Sequence, residues 1–518
     1  MMRTDLPPTA DLVWTRDALH DGRLRACDLL DTLLRRADRL DPTLGSFLAR
    51  FDAEARAQAD RHDRARAAGE ALPPLSGVPL GIKAMLSTRE RAADAQSLVL
   101  DPDRLVGADA DAVAALRAAG AVIVGHTVSV EHAMGRPDPA MPGPIPRNPW
   151  ALDRWPGGSS SGTANGIAAG LFLGGLGTDT TGSARIPAAF CGITGFKPSF
   201  GLVPAGGSLP AAPSMDVVGP MAISARDIRL LMSVLVPGGA ARASAAPGII
   251  GVPEELLTET RGVTSHTRAA FSRSLGLLET QGYRVQPVAL PEFDELVAVT
   301  LCLSIAEVSA LHRDRLTEQW DRYGRSFRRI AAVGGALTPE SVAAARQRRE
   351  DLRELVGERL RGLSALATPT WPTGAAPYAA SGGVPVPETN FTAAWSAVGF
   401  PSLSVPAGLD PEGMPLGLLL TGAPGQDAAV IAVGEALQAV DQQHLSRPAI
   451  DLAALPEPAP VPDPDGGGEP GLLVPPEEQP AWLGQLGNTL SAREHAVITG
   501  MGAAIAGEFA RVFGTDGG

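Results

Sequence analysis

The sequence predicts an α/β fold, a large mixed and mostly parallel β-sheet flanked by α-helices. Three observations lead there. Leucines 24, 29, 30, 33 and 34 share one broad helical face, residues 111–125 read helix, glycine stop, buried strand, and short apolar runs closed by proline recur towards residue 420. At 518 residues, with 44% apolar and 19% charged side chains, the chain can bury one large core.

Taken in order, residues 9–70 read as helices, the last of them charged and ending at Gly69. "SGVPLGIKAML" reads as a turn and a short buried strand ending at Lys83. "DAVAALRAAGAVIVG" is the helix–strand unit, and residues 135–156, rich in Pro and Gly, are loop. An apolar helix over about 162–170 precedes the strand "LFLGGLGTD". Residues 250–365 alternate strand-like "GIIGV" with long Arg/Glu/Ala helices. "LSALATPTWP", "PSLSVPAG" and "PLGLLLTGA" are strands, and the helix "DAAVIAVGEALQAV" closes the core.

The chain divides into one domain over 1–445, with a 70–205 core and a more variable helical 250–365 region expected to shape the substrate pocket. A Pro/Gly/acidic linker follows over 446–490. Residues 491–514 read as an amphipathic helix, with a capping box at Ser491–Glu494 and Ile498, Met501, Ile505, Phe509 and Val512 at helical spacing. It is expected to dock on the body or on a second copy, as in a homodimer.

Net charge is −13, from 44 basic and 57 acidic side chains. That balance repels phosphate backbones, so no nucleic-acid partner is expected. Cys27, Cys191 and Cys302 lack metal-ligand spacing and fit a reducing compartment. The first residues carry no apolar leader core, and the longest nearly unbroken apolar run, about 166–177, is too short to cross a bilayer. The expectation is a cytoplasmic protein without membrane contact. Only two lysines, Lys83 and Lys197, stand among the 44 basic residues. Where lysine persists against an arginine bias, a group able to lose its proton near neutrality is one explanation.

The stretch "WPGGSSSGTANGIAAG" carries the functional question. Gly158–Gly162 spells G-x-S-x-G, but the proline-rich "PRNPWALDRWPGG" before it cannot supply the strand an α/β-hydrolase turn needs. A linker reading fails too, because an apolar helix, a buried strand and a second Gly-Ser element, "GTDTTGSARIPAAFCGITGFKPSFG", follow at once. Together with "GVPLGIK", "AGAVIVGHT", "PGGSSSGTA", "ATPTWP", "GFPSLSVPAG" and "PLGLLLTG", that element resembles the amidase signature family in order and spacing over residues 10–440.

The resemblance implies the amidase signature fold and a Ser–cis-Ser–Lys triad of Ser183, Ser159 and Lys83, with a cis bond before Ser159. It also implies an oxyanion site made by the backbone N–H groups of Thr180, Thr181, Gly182 and Ser183. Asp179 and Arg185 are expected to be an ion pair framing that loop, though Arg185 could reach a substrate carboxylate. The implied reaction is hydrolysis of a small-molecule amide through an acyl-enzyme, with no cofactor and no metal. The glutamine-hydrolysing component of a tRNA-dependent amidotransferase and an acyl-transfer biosynthetic relative are the alternatives within the family.

The residues support the chemistry independently. A serine attacking an amide needs a base, neither serine-rich motif contains a histidine, and a lysine ending an apolar strand loses hydration and so basicity. The chain departs from the family pattern at Ala84, Gln96, His126, Thr181 and Ser396, where the family usually carries Asp, Gly, Lys, Gly and Asn. The segments 200–215, 300–340, "PTWPTGAAPY" and "TNFTAAW" are apolar enough to suggest an uncharged or aromatic acyl group.

Overall fold

The computed structural model describes residues 10–236, 247–378 and 389–450. The expected helix over 491–514 and nearly all of the expected linker lie outside the described residues. Eleven strands form one sheet: β1 Phe47–Arg50, β2 Pro79–Lys83, β3 Val122–Thr127, β4 Gly174–Asp179, β5 Thr194–Lys197, β6 Val217–Ala222, β7 Ile249–Val252, β8 Arg284–Pro287, β9 Leu363–Pro369, β10 Ser402–Leu409 and β11 Pro415–Thr421. Their spatial order is β1-β3-β2-β4-β6-β5-β10-β11-β9-β7-β8, and helices flank them.

The large mixed sheet is as the sequence predicts, but its pairing is less parallel. Parallel pairs occupy the two flanks, β3-β2-β4 and β9-β7-β8, while every pair from β4 through β6, β5, β10 and β11 to β9 is antiparallel. Connection length explains the middle. β10 and β11 are joined by only Asp410–Met414, where Gly413 adopts φ +78° and Asp410 Oδ1 accepts the N–H groups of Glu412 and Met414. So short a link can join only antiparallel neighbours, whereas parallel strands need a crossover of a dozen residues or more.

Four strands are not legible in the residues. β1 interrupts a region that reads as helix throughout, β5 and β8 have four residues each, and β6 contains Pro220, which argues against a central strand. Tertiary pairing supplies them: β1 caps the β3 edge and β6 fills the gap between β4 and β5.

The helix Ala26–Leu44 buries Leu29, Leu30, Leu33, Leu34 and Leu40 in the main core, as its periodicity predicts. The helix Ser161–Ala168 is buried along its whole length and packs on β2 and β4. That close seat requires glycine at 162. A Cβ there would stand 2.2 Å from the Ser46 carbonyl oxygen and 2.4 Å from the Val128 amide nitrogen, both of them backbone atoms that cannot swing away. Gly162→Ala is therefore expected to destabilise the protein by about 1–3 kcal/mol or more. The check is the midpoint of urea unfolding, and an unchanged midpoint would show that the helix can shift without cost.

Candidate active site

β2 and β4 lie side by side and parallel, with Leu80, Gly81 and Ile82 opposite Gly174, Gly175 and Leu176. Their ends therefore project together, and Lys83 closes one while Thr178 and Asp179 close the other. Lys83 has no solvent exposure. Its Nζ donates to Ser159 Oγ at 2.7 Å and to Thr178 Oγ1 at 2.7 Å. No carboxylate bonds it among the described residues. Burial pulls its pKa down to about 7, against the more distant negative charges of Asp179 and Asp216, which raise it. An amine that is half neutral near pH 7 can accept a proton, as no arginine could.

Ser159 sits on the turn before the helix Ser161–Ala168, and the peptide bond Gly158–Ser159 is cis. The turn is fixed from several sides. Ser161 Oγ donates to Gly157 O at 2.6 Å, and Ser160 Oγ donates to Thr178 O at 3.2 Å. The Ser160 N–H donates to the Ser183 carbonyl at 3.1 Å, which ties the two serine-bearing turns together. Ser183 Oγ itself makes no hydrogen bond among the described residues. The structure thus joins Lys83 to Ser159 and brings Ser183 alongside, without a hydroxyl–hydroxyl bond between the serines.

The turn after β4 is organised by one buried ion pair. Arg185 Nε and Nη2 donate to Asp179 Oδ2 and Oδ1 at 2.9 and 2.8 Å, with neither side chain exposed. Arg185 Nη1 donates to Thr392 O at 2.7 Å and Nη2 also to Ser396 Oγ at 3.2 Å. With its guanidinium committed in this way, Arg185 frames the loop and is not available to a substrate carboxylate. Asp179 Oδ1 accepts the Gly182 N–H at 2.8 Å, and Oδ2 accepts that of Ala184 at 3.1 Å. Burial alone would raise the Asp179 pKa, but Arg185 holds it below the ordinary carboxylate value.

This geometry corrects the expected donor set. The Gly182 N–H is spent on Asp179, whereas the N–H groups of Thr180, Thr181 and Ser183 have no partner among the described residues. Glycine at 182 is required for shape: its φ is +137°, and a Cβ would fall 2.1 Å from Thr392 Oγ1. Thr392 Oγ1 in turn donates to the Thr181 carbonyl at 2.8 Å, so the turn is also pinned by the segment between β9 and β10.

Three residues of this site escape the sequence reading: Thr178, Thr392 and Asp216. Asp216, just before β6, accepts Thr180 Oγ1 at 2.6 Å and the N–H groups of Ala211 and Ala212 at 2.8 and 2.9 Å. It lines a small cavity with Met85, Thr178, Thr180, Ser208 and Leu209. Burial raises its pKa, opposed by those three hydrogen bonds. A lone acidic residue in the apolar run "AAPSMDVVGPMA" was the available signal.

The departures from the family pattern are accommodated locally. Gln96 takes φ +53°, where glycine would be at ease, and its side-chain Oε1 accepts the Ser129 N–H at 3.0 Å. Ser396 serves Arg185, and Ala84 is buried against Thr127. His126 is buried beside Phe51 with a pKa pulled down to about 4 by desolvation, so it stays neutral.

Comparison with known proteins agrees with the architecture. A family model described as Amidase matches residues 28–431. A glutamyl-tRNA(Gln) amidotransferase subunit from Roseiflexus sp. (strain RS-1) is 34% identical over 476 residues, covering 84% of this chain and 96% of that protein. The corresponding protein of Halorhodospira halophila (strain DSM 244 / SL1) is 34% identical over 475 residues, covering 83% and 97%. A crystal structure of an amidase superposes with a TM-score of 0.77 at 32% identity, over 83% of this chain and 99% of that one. The native peptide amidase of Stenotrophomonas maltophilia gives 0.69 at 26% identity, over 85% and 98%. The match across most of the chain, the shared fold and the amine at the end of β2 lead to one assignment: the chain belongs to the amidase signature family, whose members act on amide C–N bonds.

Proposed function

We propose that this enzyme hydrolyses a small-molecule carboxylic amide through an acyl-enzyme on Ser183. The observation that carries the reading is a fully buried lysine, with a pKa near 7, hydrogen-bonded to Ser159. Ser183 Oγ attacks the carbonyl carbon, and its proton passes through Ser159 to neutral Lys83. The oxyanion takes the unpartnered N–H groups of Thr180, Thr181 and Ser183, each worth about 3 kcal/mol in the transition state. As the C–N bond breaks, Lys83 returns the proton through Ser159 to the leaving nitrogen. Water, activated by the same relay, then attacks the ester carbonyl and frees Ser183. The Ser159–Ser183 hydrogen bond forms as substrate settles, since catalytic hydrogen bonds tighten in the reacting complex.

A second reading has a specific basis. Relatives 34% identical to this chain are named as amidotransferase subunits, which would make glutamine the amide and a multi-subunit complex the working form. Amide hydrolysis by the isolated chain favours the first reading, and glutamine hydrolysis only in the presence of further subunits favours the second. Three unpaired cysteines fit a cytoplasmic setting for either.

The base dictates the pH profile. Neutral Lys83 is the active form, so kcat/KM rises with pH through a limb centred near 7. Lys83→Arg keeps the charge but cannot shed it, and is expected to lose at least about 1,000-fold in kcat, as is Ser183→Ala. Wild-type rates in either variant would overturn the assignment. The loop anchor separates from the base by the same profile. Thr180→Val and Asp216→Asn are each expected to lower kcat about 10- to 100-fold by letting the oxyanion turn drift. Only Asp216→Asn should also move the limb to lower pH, because it removes an anion that stabilises protonated Lys83. A limb that does not move in Asp216→Asn would show that the carboxylate acts by geometry alone.

A further inference from the structure

Several buried or half-buried arginines in this protein are tied to carboxylates or carbonyl groups: Arg185 to Asp179, Arg117 to Asp109 and Glu90, Arg229 to Glu435, Arg154 to Ala375 O. Arg136 differs. It is half-buried, its Nε is enclosed without a hydrogen bond, and no carboxylate pairs with it among the described residues. Its guanidinium lies over the Trp155 ring, 5.4 Å from the centroid. The indole Nε1 of Trp155 is likewise buried without a partner. Two orphan donors therefore belong to one stacked pair. Donors enclosed without acceptors cost free energy, and a cation held over an aromatic face recovers only part of it.

That pair adjoins the site. A Cβ on Gly158, the residue before Ser159, would stand 2.7 Å from Trp155 Cζ2. Trp155 meets Phe190 with ring centroids 6.5 Å apart, and Phe190 meets Trp371 at 5.8 Å. Phe190 and Ile186 belong to the helix Arg185–Cys191, which follows Ser183 directly. An aromatic wall thus runs from the nucleophile's helix past the Ser159 turn to Arg136. The Arg136 backbone is anchored by its N–H to Ser326 Oγ at 2.9 Å, which fixes the base of the side chain.

We propose that Arg136 is a specificity-determining residue that receives a carboxylate of the substrate, so that the enzyme selects amides carrying an anionic group beyond an apolar or aromatic spacer. The planar guanidinium matches a carboxylate as no neutral ligand does. Burial presses the Arg136 pKa downward, which a bound anion would relieve. The proposal rests on the amidase reading and refines the uncharged acyl group that the apolar segments suggest: the wall is apolar, and its end is cationic.

The test compares matched pairs with and without a carboxylate. Glutaramate against pentanamide places the carboxylate on the acyl side, and hippurate against N-propylbenzamide places it on the amine side. Binding is measured by calorimetry to the full chain carrying Ser183→Ala, and turnover with the unaltered chain. In at least one pair the anionic member should be preferred, and Arg136→Gln should cut that preference about thirtyfold, chiefly through KM and Kd. Arg136→Lys should restore part of it. No preference for the anion in either pair, or an Arg136→Gln effect equal on both members, overturns the proposal. Selective binding without turnover would leave Arg136 in place and count against the hydrolase reading alone.

Discussion

The amine of Lys83 is the constraint around which the site is arranged. An ammonium group enclosed without a carboxylate partner is poorly solvated, so the fold favours its neutral form. Two hydroxyls, of Ser159 and Thr178, are its immediate polar environment among the described residues. A carboxylate bonded to the amine would favour its charged form instead.

A second buried charge is treated in the opposite way. Asp179 is held ionised by Arg185 and spends its oxygens on the backbone of the turn it precedes. Removing either partner of such a pair leaves an uncompensated charge, so the pair acts as a rigid frame more than as a source of net stability. Its consequence is selective. It occupies the Gly182 N–H and leaves those of Thr180, Thr181 and Ser183 unbonded among the described residues. Asp216 and Thr392 complete the frame from other strands and loops.

The two ends of the site are thus electrostatically distinct. An amine whose pKa burial pulls down to about 7 stands at the ends of the parallel strands, and a guanidinium without a carboxylate partner among the described residues stands across the aromatic wall. On a chain of net charge −13, with many arginines paired to acids, Arg136 stands out by its place: stacked on Trp155, which packs against Gly158 in the Ser159 turn.

By itself the sequence determined what local chemistry can encode. Glycine-serine turns, a lysine ending an apolar strand, the helical face of Leu29–Leu34 and the ion pair Asp179–Arg185 are all visible because their partners lie close in sequence or follow a short period. It did not determine which strands become neighbours. β1, β5, β6 and β8 are too short or too irregular to carry a signal of their own, and the antiparallel centre depends on pairings between distant segments. For the same reason Thr178, Asp216, Thr392 and Arg136 gained meaning only in three dimensions. A side chain's role in a site is set by what stands opposite it, and opposition across a folded sheet leaves no period in the chain.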